Sequence, residues 1–235
     1  MKHIIIVLLC TCLSYTITAQ NIIGAWETQS TSKDNEPLKQ VAIFTEGYHV
    51  ITTYHATTGK FMYTNGGAWQ LTNNTLTETL EFDSAKPERV GTQIKHNIKL
   101  TDQVLEFLES KTSWHRLDHG KPGKLNGAWL MSGRVKAGET QLRDTNKPRK
   151  TMKILSGTRF QWMAYNTESK AFMGTGGGTY TTDQGVYTEH IEFFSKDNSK
   201  TGLELKFNYE LIDGAWHHTG FSSKGDPIHE IWRLR

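Results

Sequence analysis

The chain repeats itself at a fixed offset. Phe61-Met62 returns as Phe172-Met173, 111 residues later (172 − 61). The same offset pairs Pro37 with Pro148, Ile43 with Ile154, Tyr54 with Tyr165, and Gly66-Gly67 with Gly177-Gly178. It also pairs Thr77, Glu78, Glu81, Phe82 and Ser84 with Thr188, Glu189, Glu192, Phe193 and Ser195. A gap-free match of this length predicts two copies of one folding unit, each closing its own core.

The ends match with shifts. Gly24-Ala25-Trp26 pairs with Gly127-Ala128-Trp129 at an offset of 103 (127 − 24), so the second copy carries 8 more residues (111 − 103), within 136–147. Arg116-Leu117 pairs with Arg233-Leu234 at 117 (233 − 116), which adds 6 (117 − 111), within 220–227. Loops absorb insertions at small entropic cost and are where binding residues gather.

Residues 185–195 (GVYTEHIEFFS) and 74–84 (NTLTETLEFDS) show the local rule. Side chains alternate, so Tyr187, Glu189, Ile191 and Phe193 share one face, and Leu76, Glu78, Leu80 and Phe82 share its counterpart. One carboxylate interrupts each apolar face at the same place. A Glu on an inward face needs a partner or stays protonated. In the second copy, strands are predicted over 126–134, 151–155, 159–166, 172–181, 186–194, 203–211, 215–221 and 228–235, with turn residues between them. No stretch has helical periodicity. The fold class is all-β: two consecutive antiparallel up-and-down barrels over 20–118 and 125–235, with the linker 119–124 (HGKPGK) between them. A β-sandwich is the structural alternative.

The Gly-x-Trp of the first strand (Gly24-Ala25-Trp26, Gly127-Ala128-Trp129) and the basic residue of the last (Arg116, Arg233) resemble the lipocalin and wider calycin pattern. The whole chain resembles two-copy, lipocalin-like secreted proteins of bacteria. The resemblance implies that the Arg packs over the Trp to close one end, and that the barrel holds an internal cavity. It implies no particular ligand or reaction.

Residues 1–19 read as a secretory signal peptide, with Lys2 and His3 before a short apolar run and cleavage near Ala19-Gln20. That predicts an exported, periplasmic or secreted protein. Lipidation at Cys12 is disfavoured by the Thr11 before it. Both cysteines, Cys10 and Cys12, fall in this leader, which leaves no thiol chemistry. A formal charge of +3, or +2 without Lys2, does not suggest nucleic acid. No transmembrane segment is visible.

Histidine separates the copies. His190, His217, His218 and His229 lie on strands of the second copy, and their first-copy equivalents are Thr79, Glu106, Phe107 and no clear match. His218 shares a face with Trp216 and is expected to reach the cavity. The candidate catalytic residues are therefore His218, Tyr165, Glu189 and Tyr209; the candidate binding residues are Arg233, Lys206, Trp162, Trp216 and His229. Each has a plain alternative as packing or surface. Glu189 and Glu192 are three apart, on opposite faces, and cannot flank one glycosidic bond. No metal motif spacing is present, and neither metal nor cofactor is expected. The glycines 174–178 (GTGGG) precede no helix, so close backbone approach explains them better than phosphate binding.

Trp beside Tyr, His and Arg suits a sugar ring. The leading expectation is binding of acidic, uronate-containing oligosaccharides, with elimination of the lyase or dehydratase type as the candidate reaction. The alternative is a non-catalytic lipocalin-like binding protein for a small ligand or sugar. Convergence of the histidines with Tyr165 and Glu189 in an open cleft would favour the enzyme. A cavity lined by Leu, Ile and Phe would favour the carrier. Oligomeric state is not legible.

Overall fold

The structure, a computed structural model, describes residues 21–235, so the leader expected at 1–19 lies outside the described residues. The first barrel consists of β1 (Gly24–Thr31), β2 (Pro37–Thr45), β3 (Tyr48–His55), β4 (Phe61–Thr72), β5 (Thr75–Asp83), β6 (Gln93–Leu100), β7 (Val104–Phe107) and β8 (Thr112–Asp118). Each strand pairs antiparallel with the next, and β8 returns to β1. The second contains β9 (Gly127–Lys136), β10 (Glu139–Leu142), β11 (Arg149–Leu155), β12 (Arg159–Asn166), β13 (Phe172–Asp183), β14 (Val186–Phe194), β15 (Glu204–Ile212), β16 (Ala215–Phe221) and β17 (Pro227–Leu234). Here β17 returns to β9, and β10 hangs outside the ring as a hairpin on β9. Two consecutive closed eight-strand barrels result, as the alternating pattern requires. The strand β10 was not foreseen. It folds inside the insertion expected at 136–147, from exposed residues, three polar and one Leu, without clean alternation.

Three apolar clusters hold the molecule. Trp26, Phe44, Leu76, Leu105 and Trp114 fill the first barrel. Trp129, Phe160, Tyr187, Phe207 and Trp216 fill the second. The third lies between the barrels and joins Val41, Ile43, Tyr54 and Phe82 to Met152, Ile154, Tyr165 and Phe193. This explains the near-continuous apolar run Val41-Ala42-Ile43-Phe44. Ala42 and Phe44 face the barrel interior, while Val41 and Ile43 face the other barrel. A strand buried on both faces loses its alternation.

The interface contacts come in matched pairs. Tyr54 donates to Glu192 at 2.5 Å, and Tyr165 donates to Glu81 at 2.6 Å. Each carboxylate also takes an arginine: Arg159 binds Glu192, and Arg235 binds Glu81 through two 2.8 Å bonds. Gln161 lies between Thr52, Thr64 and Thr175. At the end of β8, Asp118 accepts from Gly120, Ser156, Gly157 and Thr158, which ties the first barrel to the turn after β11.

The glycine runs work by close approach. A Cβ on Gly178 would lie 2.0 Å from the His190 carbonyl oxygen, and one on Gly67 would lie 2.0 Å from that of Thr79. Both sit where the register shifts, at Gly177/Gly178 and Gly66/Gly67. The glycines permit bulges that bend the sheet round.

One end-closing expectation holds for a single barrel. The Arg116 guanidinium lies 3.9 Å above the Trp26 ring. In the second barrel a bulge between Ile231 and Trp232 slips the register, and Leu234, not Arg233, stands opposite Trp129. A one-residue slip turns every side chain over. Arg233 therefore faces solvent on the outer surface.

Candidate functional site

The inward Glu recurs, but the two barrels satisfy it differently. In the first, Glu78 is almost fully buried, with His49 Nε2 at 3.1 Å and His96 Nε2 at 3.4 Å. Burial alone would raise its pKa; the two histidines outweigh that and hold the carboxyl well below its usual range. In the second barrel, positions 111 residues on from His49 and His96 are Phe160 and Phe207, so neither histidine has a counterpart. Glu189 instead meets Lys153, whose Nζ lies 2.6 Å from Oε1. Lys153 stands where the first barrel has Ala42.

Lys153 is 5 % exposed and Glu189 is 3 % exposed, so this is a buried ion pair. Four rings surround the ammonium: Tyr187 at 5.0 Å, Trp216 at 5.2 Å, Trp232 at 5.6 Å and Phe207 at 5.7 Å. Ring faces attract a cation, and a desolvated ammonium gains most from them. Burial, followed by the neighbouring Glu189, pushes the Tyr187 hydroxyl far above its ordinary value.

A second polar pair lies beside the first. His218 Nδ1 is 3.2 Å from Glu230 Oε2. Burial, and then the Lys153 charge, lowers the His218 pKa against the pull of Glu230. The imidazole is therefore neutral near pH 7, with its Nδ1–H donating to the carboxylate. That tautomer leaves a lone pair on Nε2, which is buried and makes no hydrogen bond to protein. Burial would raise Glu230, but the His218 bond and the Lys153 charge hold it low.

These groups line a half-open cleft of about 290 Å³ inside the second barrel. Its walls are Trp162, Ile191, Phe194, Leu205, Phe207 and Trp232. Trp162 and Phe194 meet edge to face, with centroids 5.5 Å apart. Ser222 and Ser223, from the second insertion, lie at the rim.

Three of the expected site residues, His218, Glu189 and Trp162, line this cleft. The others lie elsewhere. Tyr165 is fully buried between the barrels and bonded to Glu81, because the odd-numbered residues of β12 face the other barrel and the even-numbered ones face inward. Trp216 is fully buried in the second core, edge to face with Trp129 at 5.7 Å. Tyr209 is half-buried against that core and is not in the lining. Lys206 is exposed and paired with Glu204 at 2.9 Å. Arg233 is exposed, and His229 pairs with His217 at 3.1 Å beyond the cleft mouth. Among the described residues no group of three or more His, Cys, Asp or Glu is placed to hold a metal ion.

Sequence reasoning passed over Lys153 and Glu230. Both left a trace. Lys153 is a charge inside the apolar run Met152–Leu155, at a place where the first copy has Ala42. Glu230 shares its strand face with Ile228, which lines the same cleft.

The fold is two consecutive closed antiparallel barrels, a form that fits a lipocalin-like barrel, and the second opens into an aromatic cleft. Residues 124–234, which span that second barrel, match the profile of a domain of unknown function, DUF4488. Among curated proteins none matches the chain. Among the described residues no helix is long and apolar enough to cross a membrane.

Proposed function

We propose that the second barrel is a binding module that takes a small, mostly apolar molecule into its cleft. The observation that carries this reading is the lining. Aromatic and aliphatic side chains make the walls, and the charged groups at the floor are already paired with one another. A cleft of about 290 Å³ falls at the small end of ligand sites. Phenylnaphthylamine, an uncharged dye that fluoresces in apolar surroundings, is the probe. It is expected to bind with micromolar affinity and to quench Trp162. Leu205→Trp fills the cleft and should weaken binding by about tenfold or more. Unchanged dye affinity in that variant, with its melting temperature preserved, would sink the reading.

One observation favours a second reading, elimination on acidic oligosaccharides. His218 is oriented by Glu230 and offers a free Nε2, as a general base requires. Against it, Tyr165 and Arg233 do not reach the cleft. An unsaturated uronate product absorbs in the ultraviolet. A rise in absorbance on mixing with oligouronates, abolished in His218→Ala, is what this reading expects; no rise rejects it.

A further inference from the structure

The cleft does not end at its rim. It opens into a wider groove of about 760 Å³, and Met131, Thr151, Ile228 and Glu230 line both. The groove runs beneath the insertion that carries β10. Its walls hold Arg134, Lys136, Arg143 and Arg149, with Glu230 as the single carboxylate. Some cations elsewhere are neutralised: Lys39, Arg89, Arg159, Lys206 and Arg235 each lie within 4.0 Å of a carboxylate. Among the described residues the four groove cations form no such pair. Arg134 Nε donates to the Gln141 amide oxygen at 3.0 Å, and Arg143 reaches back to the Met131 sulfur at 2.9 Å, over the cleft entrance. Four cations against one carboxylate, itself held by His218, make a positive field at the mouth of an apolar cleft. Guanidinium groups are the side chains best shaped to grip a planar or tetrahedral anion.

The cleft also has an unmet polar group at its inner end. His218 is 2 % exposed, lines the cleft, and its Nε2 accepts no hydrogen bond from protein. An occupant thus meets three environments in turn: a hydrogen-bond acceptor at the floor, aromatic walls, and a basic mouth.

From this sequence of environments we infer that the ligand is an amphiphile. Its apolar body lies in the cleft, and one anionic group, a carboxylate, sulfonate or phosphate ester, is held at the mouth by Arg134, Arg143 and Arg149. The first barrel lacks the corresponding insertion and has Ala42 and Phe107 at the places of Lys153 and His218, so the specificity belongs to the second barrel alone. The inference rests on the cleft-binding reading above and adds the head group to it.

A matched pair of dyes separates the two claims. Phenylnaphthylamine and anilinonaphthalene sulfonate share one aromatic body, and only the second carries an anion. At low ionic strength the sulfonate should bind about tenfold more tightly than the neutral dye, an advantage that salt screens away. In R134Q/R143Q/R149Q most of that advantage should vanish, while affinity for the neutral dye moves by less than about twofold. The neutral dye is also the folding control for the variant. Equal affinities for the two dyes in the native protein, or a sulfonate advantage that survives the triple variant, overturn the head-group inference and leave cleft binding intact. Failure of both dyes to bind overturns the cleft itself. An oligogalacturonate with no apolar body that displaces the sulfonate dye at comparable affinity would overturn the amphiphile and return the groove to acidic sugars.

Discussion

Lys153→Met is expected to destabilise the protein by about 3–5 kcal/mol, the cost of leaving one partner of a buried ion pair alone. Glu189 is 3 % exposed, and the apolar rings around the site offer nothing in place of the ammonium. The barrel would have to keep a charged carboxylate in an apolar interior or take up a proton there. The double variant Lys153→Met/Glu189→Leu should recover most of the loss, because a well-packed apolar pair substitutes for a buried ion pair at little net cost. Urea unfolding, followed by tryptophan fluorescence, measures both. If the single variant lost less than about 1 kcal/mol, the range of exposed ion pairs, the pair would not be the buried anchor the geometry describes. A double variant no more stable than the single one would show that the aromatic cage needs its cation.

That pair also shows how far the sequence could be read. The strands were legible because alternation and turn residues are local: β12, β14 and β16 run over the residues predicted for them. The inward Glu was legible because it recurs at a fixed place on an apolar face. Its partner was not. Lys153, on β11, lies three strands before β14 and reaches Glu189 across the barrel interior, a contact that depends on closure and not on spacing.

Tyr165 failed for a related reason. Alternation tells which residues share a face but not what covers it. In β12 both faces are buried, one by the barrel core and one by the other barrel, so apolar character could not distinguish them. Arg233 failed through a bulge, which shifts register by one residue and leaves little mark in the sequence. The groove cations leave no mark in the sequence, because their neighbours, not their identities, set them apart.

The interface supplies the second large effect. Glu192→Ala removes the acceptor of both Arg159 and Tyr54. Arg159 is 5 % exposed, and among the described residues its only other carboxylate contact is Glu27 at 3.6 Å. Glu192 itself keeps some contact with water, so the expected cost is about 2–3 kcal/mol, between exposed and fully buried pairs. Glu81→Ala removes the matched contacts, but the Arg235 side chain is more exposed than that of Arg159, 11 % against 6 %, so the loss there should be smaller. The difference tests whether burial or mere pairing decides the cost. Acid should act on the same groups. Burial opposes ionisation of Glu192, yet Arg159 and the Tyr54 hydroxyl hold its pKa below the ordinary value; Arg235 and Tyr165 do the same for Glu81. A carboxyl with a depressed folded pKa stabilises above its unfolded pKa, about 4.3 for Glu, and that stability is lost as pH falls through the folded value. The native protein should therefore lose melting temperature steeply between pH 5 and about pH 3. Glu192→Gln, which cannot ionise, should start lower at neutral pH and fall less over the same range. Parallel melting curves for the two proteins across that range would mean that the interface carboxylates do not carry the acid response.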